Sequence, residues 1–150
     1  RERNFYIMKK TILTLLCALA LPLSAHAADW LTDYDKALEV AKEKNKPVLI
    51  LFTGSDWCPP CMRMEKTVFS SKEFSDLADK YFVLIKLDSP KNKPQSAEEK
   101  KMVAKLGAQY EVQGVPTIVI LGKKGKEIDR IVGSRDKESF LKWLTALRNK

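Results

Sequence analysis

Histidine is nearly absent from this sequence. The 150-residue chain has one, His26, and three cysteines, Cys17, Cys58 and Cys61. His26 and Cys17 fall in a segment that reads as removed, so residues 28–150 keep two cysteines and no histidine. That excludes Cys-His and Ser-His-Asp catalysis there. Zinc wants four ligands, usually Cys and His, and would need carboxylates or a second chain. One close cysteine pair does not make a disulfide-stapled scaffold. No basic stripe with interleaved aromatics points to nucleic acid; the lysines are scattered over helix faces and turns. The sequence has no internal repeat and no low-complexity tract.

Residues 8–27, MKKTILTLLCALALPLSAHA, have the layout of a secretory signal peptide. Lys9 and Lys10 form a basic start. Thr11 to Leu23 is apolar but too short to span a membrane comfortably. Ala25-His26-Ala27 is a small-x-small cleavage site. Translation is expected to begin at Met8, with residues 1–7 an upstream extension. Leu16 before Cys17 argues against a lipoprotein signal, and an uncleaved anchor lacks the charged stop that should follow. The expected division is therefore 1–27, extension and signal, and 28–150, one domain long enough for a sizeable core. Losing Arg1, Arg3, Lys9, Lys10 and Glu2 takes the net charge from +8 to +5. The domain is expected outside the cytoplasm, periplasmic or secreted, with no stable membrane insertion once the signal is gone.

The chemistry concentrates in Leu49 to Glu65, LILFTGSDWCPPCMRME. Strand-like apolar residues pass through a short polar turn into Cys58-Pro59-Pro60-Cys61, and Met62, Met64 and Glu65 suit a helix. Two intervening residues on a first helical turn bring the sulfurs within bonding reach. Unpaired N–H groups and the positive dipole end of the helix favour thiolate over thiol. Pro59 is tolerated in the first turn, where its missing N–H had no partner, and Pro60 stiffens the turn further. Haem attachment would want His after the second cysteine, where Met62 stands. A structural disulfide closing so small a loop would stabilise little. The pair therefore reads as redox-active. Cys58, expected to be exposed with a thiol pKa below the ordinary value, is the nucleophile; Cys61, expected to lie deeper, resolves the mixed disulfide.

Periodicity places the remaining elements. Trp30, Tyr34, Ala37, Leu38 and Ala41 recur at helical spacing, with Thr32 as cap and Asn45-Lys46-Pro47 as terminator. Val48 to Phe52 reads as a central strand covered on both faces. Helix is expected from Pro59 to Phe69 and from Lys72 to Lys80, then strand from Tyr81 to Leu87. Ser96-Ala97-Glu98-Glu99 is a capping box opening a helix to about Tyr110. Thr117 to Leu121 and Lys126 to Val132 form a hairpin across Gly122-Lys123-Lys124-Gly125. Phe140, Trp143, Leu144 and Leu147 stripe a final helix. The class is α/β, a central mixed sheet of about four strands flanked by helices, its first two strands parallel through a right-handed crossover.

Taken together, Pro47-Val48-Leu49-Ile50-Leu51-Phe52, Trp57-Cys58-Pro59-Pro60-Cys61, Tyr110 to Thr117 with its Val115-Pro116-Thr117, and Val132-Gly133 resemble the thioredoxin superfamily. The likeness runs from about Trp30 to Asn149. The helix before Lys46-Pro47-Val48 and the turn Thr53 to Trp57 look most like exported thioredoxin-like proteins akin to the C-terminal domain of the DsbD reductase. The resemblance implies a thioredoxin-like fold and a cis Val115-Pro116 bond beside the sulfurs. It also implies supporting roles for Trp57, Pro59, Pro60, Val115, Pro116 and Thr117. In one respect the chain departs: the buried acid expected six residues before the first cysteine is Phe52. Glu65, four residues after Cys61 on the same helical face, is a candidate replacement; the other reading is a surface glutamate. Lys86 aligns with the family's buried lysine or is simply solvated.

The expected function is thiol–disulfide exchange without cofactor or metal, leaning to disulfide reductase or isomerase. Its partners would be protein thiols and disulfides and a redox partner protein, and the chain is expected to be a monomer. Two Pro residues between the cysteines add neither charge nor N–H donor, which argues against a strong oxidant. Rival readings are a Cu(I) carrier using Cys58, Cys61 and a Met, and an interaction module that has lost turnover.

Overall fold

The computed structural model describes residues 27–150. The expected signal segment lies almost wholly outside the described residues. Ten elements follow in order: β1 (Trp30–Leu31), α1 (Tyr34–Lys44), β2 (Val48–Thr53), α2 (Pro59–Met64, running on as a π turn over Glu65–Phe69), α3 (Lys72–Tyr81), β3 (Val83–Asp88), α4 (Ala97–Gln109), β4 (Thr117–Leu121), β5 (Glu127–Val132) and α5 (Lys137–Leu147).

The strands form one mixed sheet in the order β1-β3-β2-β4-β5. β2 runs parallel to β3 and antiparallel to β4, and β4–β5 is the hairpin. All six residues of β2 are buried, as its unbroken apolar run requires at the centre of a two-faced sheet. Alternation sends Leu49, Leu51, Leu84, Ile118 and Ile120 to one face, under α2, α3 and α5. Val48, Ile50, Phe52, Ile85 and Val119 face the other way, under α1 and α4. On the first face Phe69 meets Trp30, Phe74 and Phe140 edge-on at 5.5, 5.2 and 5.5 Å between ring centroids.

Several expectations are corrected. The sheet has five strands, not about four. Trp30 is not on the first helix: it pairs with Leu84 in the two-residue β1, where its ring stacks 5.9 Å from Phe74. Chance helical spacing from Tyr34 hid a strand too short to show a period. Asp33, not Thr32, caps α1, accepting the Lys36 N–H at 3.0 Å. The segment after Cys61 is α-helical only to Met64, and the Ser70 N–H then reaches back to Glu65. Tyr81 ends α3 rather than opening β3. The Ser96–Glu99 capping box is present in both directions, 3.1 and 2.9 Å. Asn45 takes the left-handed conformation at the end of α1 (φ 51°), so Asn45-Lys46-Pro47 does terminate that helix.

Candidate active site

β2 delivers the chain to the turn Gly54–Trp57, and Cys58 is the N-cap of α2 with the two prolines as its first helical residues. A proline there gives up an N–H that the helix does not use. The first free N–H belongs to Cys61, and it donates to Cys58 Sγ at 3.3 Å. The two cysteines are joined as a disulfide with their Cα atoms 5.2 Å apart. Cys58 Sγ also lies 3.7 Å from the Val115 carbonyl oxygen. Val115–Pro116 is a cis bond. Pro116 is buried, and its carbonyl accepts the Gly133 N–H at 2.8 Å. Thr117, also buried, donates its hydroxyl to the Gly114 carbonyl at 2.7 Å, holding the bend that carries Val115.

Cys58 is not the exposed partner of the pair. Both cysteines are 3% exposed. As N-cap, the Cys58 side chain folds back over the helix end and meets Val115 on the other side. What separates the two sulfurs is hydrogen bonding: Cys58 faces an N–H donor at a helix N-terminus, a setting that stabilises an anion.

Trp57 lies on the turn rather than free above it. Its indole Nε1–H donates to the Ser89 carbonyl at 2.7 Å, and the Lys91 ammonium sits 4.1 Å from the ring centroid. Asp56 accepts the backbone N–H groups of Lys91 (2.9 Å) and Asn92 (2.7 Å). Those two bonds, the Lys91 N–H first, hold its carboxyl below the usual value. Ser55 binds Asp88 through its N–H at 2.9 Å. The 89–92 segment is thereby fastened to the turn before Cys58. The sequence singled out the turn Thr53 to Trp57 but not Ser89 or Lys91, its partners over 30 residues away.

Glu65, the candidate replacement for the missing acid, is held by a lysine. Its half-exposed carboxylate pairs with Lys86 at 3.0 Å, and no hydrogen bond among the described residues joins it to either sulfur. Lys86, mostly buried along its stem, also stands 4.9 Å from the Trp30 ring centroid. Phe52, where an acid was expected, is buried with its ring 6.2 Å from that of Tyr110. Burial, then the hydroxyl bond to Tyr34, pushes the Tyr110 phenol far up, so it stays protonated. Met64 is in the core, while Met62 is 43% exposed. Beside Val115 a groove of about 1010 Å³ opens, lined among others by Phe52, Leu87, Ser89, Pro90, Val103 and Gly107.

A parallel–antiparallel sheet with a cysteine pair capping the helix after its central strand, facing a cis-proline bend, defines a thioredoxin-fold dithiol–disulfide protein. The chain belongs to the thioredoxin-like domain family, whose model matches residues 34–148. It is similar to the disulfide bond reductase DsbH of Chlamydia pneumoniae, 34% identical over 110 residues, 73% of this chain and 66% of that protein. It is 33% identical to the thiol:disulfide interchange protein DsbD of Vibrio cholerae over 77% of this chain and 18% of that one. The chain thus spans less than two thirds of either relative. Among solved structures it is similar to a DsbH oxidoreductase, with TM-score 0.71 and 33% identity over 85% of this chain and 90% of that one.

Proposed function

We propose that this protein is an exported thiol–disulfide oxidoreductase acting as a reductase or isomerase on other proteins, without cofactor or metal. The observation that carries the reading is the Cys58 sulfur at the N-terminus of α2, bonded to Cys61 and facing its N–H. The names of DsbH and DsbD support the same class of chemistry. In the reduced protein the Cys58 thiolate attacks one sulfur of a substrate disulfide. A Cys58–substrate disulfide forms, and the other substrate sulfur leaves as thiolate and takes a proton. Cys61 then loses its proton and attacks Cys58 Sγ, releasing the second substrate thiolate. Two electrons pass to the substrate, and the Cys58–Cys61 disulfide remains until a dithiol partner protein returns two electrons. Val115, Pro116 and Thr117 shape the approach to Cys58, and Trp57, Pro59 and Pro60 hold its turn. We assign Glu65 no proton-transfer step. Residues 28–150 act as the working domain, as a monomer outside the cytoplasm.

Reduced protein is expected to reduce insulin. Iodoacetamide should label Cys58 far faster than Cys61, because the stabilised thiolate is the nucleophile. Cys61→Ala should accumulate mixed disulfides and Cys58→Ala none; the reverse pattern overturns the assignment. Equilibration with glutathione should give a potential nearer about −270 mV than about −120 mV, and a value above about −150 mV would make the protein an oxidant.

A further inference from the structure

Two lysines stand on the residues that lead into Cys58. The Lys91 ammonium lies over the Trp57 ring, and Lys93 Nζ is 3.4 Å from Ser55 Oγ. Both residues are exposed. Neither forms an ion pair among the described residues, whereas Lys36, Lys72, Lys86 and Lys137 each have a carboxylate within 4.0 Å.

The loop that carries them is held in place. Asp56 takes the Lys91 and Asn92 N–H groups, and the Ser89 N–H donates to the Thr53 carbonyl at 2.9 Å. Two nearby acids, Asp56 and Asp88, keep their charge but direct their oxygens to donors other than these ammonium groups. Asp56 feels Lys93 but spends its two oxygens on backbone N–H groups. Asp88 binds Ser55 through both oxygens. Glu111, across the groove, acts on the Arg130 guanidinium. The result is two exposed positive charges on the turn that leads into Cys58, where the apolar Trp57 is itself 37% exposed.

We propose that the Lys91–Lys93 loop is a docking surface for partner proteins that carry carboxylates next to their reactive disulfide or dithiol. The proposal rests on the oxidoreductase reading and names which partners that site selects. Charges at the edge of an interface act mainly on the rate of encounter and on its salt dependence. The loop is already ordered, so binding a carboxylate there requires little further ordering of backbone.

The test uses two disulfide-bonded peptides, identical except that Glu or Lys residues flank the disulfide. Reduction by the reduced protein is timed for each and normalised to its rate with dithiothreitol, which removes intrinsic reactivity. At low ionic strength the Glu-flanked peptide is expected to react about tenfold faster, a ratio in the range two exposed charge pairs supply. The gap should close in about 1 M salt, where the screening length is about 3 Å. Lys91→Glu with Lys93→Glu should invert the order. Equal rates in the native protein at both salts, or a preference that survives the double reversal, overturn the docking surface alone. Reduction of neither peptide overturns the oxidoreductase reading and the docking surface with it. Should the double variant not fold, the salt response of the native protein still decides.

Discussion

At the scale of single residues, the site depends on a side chain that is missing. A Cβ on Gly54 would lie 2.5 Å from Trp57 Cε2, closer than real contacts allow. Glycine is there so that the indole can lie flat on the turn and reach Ser89. Gly54→Ala should push the ring aside, break the Nε1–Ser89 bond and destabilise the fold by about 1–3 kcal/mol, the usual range for overpacking. A chemical denaturation midpoint reads the stability. Tryptophan emission compared with that of Trp57→Phe reads the ring, since Trp30 and Trp143 contribute to both. Unchanged emission and midpoint would mean that the turn yields without cost. Cys58 teaches a related point: a cysteine at an N-cap is identified by the donor it faces, not by its exposure.

At the scale of elements, carboxylates hold the starts of helices and should make the fold acid-sensitive. Glu99 is lowered from the usual value of 4.5, first by the Ser96 N–H at the mouth of α4. Asp136, the N-cap of α5, is lowered from 3.8, first by the Ser139 N–H. Glu73, in the first turn of α3, is lowered chiefly by its bond to Lys137 on α5. A carboxyl lowered by folding contributes stability that is complete above its ordinary value and lost as pH falls through the folded one. The melting temperature should therefore hold near neutrality and fall between about pH 5 and pH 2. Asp136→Asn keeps a capping oxygen but does not titrate, so its decline should be shallower than the native one. A flat native profile across that window would refute the assignment.

At the scale of the whole molecule, the first strand among the described residues begins at Trp30, three residues after the expected cleavage at Ala27. Cleavage there keeps Ala28 and Trp30, which pack against the first-face cluster. No helix among the described residues is long and apolar enough to cross a membrane. N-terminal sequencing of the protein recovered from outside the cytoplasm should return Ala28 first. A mature chain beginning before Leu21 would end the signal-peptide reading.

The central strands, the Ser96 capping box, the β4–β5 hairpin and the cysteine pair were legible in the sequence because each is a local matter. A run of apolar residues, a Ser with Glu three positions on, or two cysteines around two prolines carries its signal within a few residues. β1 was not legible, because two residues have no period and Trp30 is a strand only where Leu84 and Phe74 receive it. The burial of Cys58 depends on Val115, and the seat of Trp57 depends on Ser89 and Lys91, all remote in the chain. Glu65 shows the same limit from the other side. Helical spacing put it one turn beyond Cys61, yet a lysine on a neighbouring strand took its charge. Local sequence therefore determined the longer elements and the reacting atoms. Which remote groups meet those atoms is decided by sheet order and packing, since side chains that meet across a sheet leave no periodic trace in the chain.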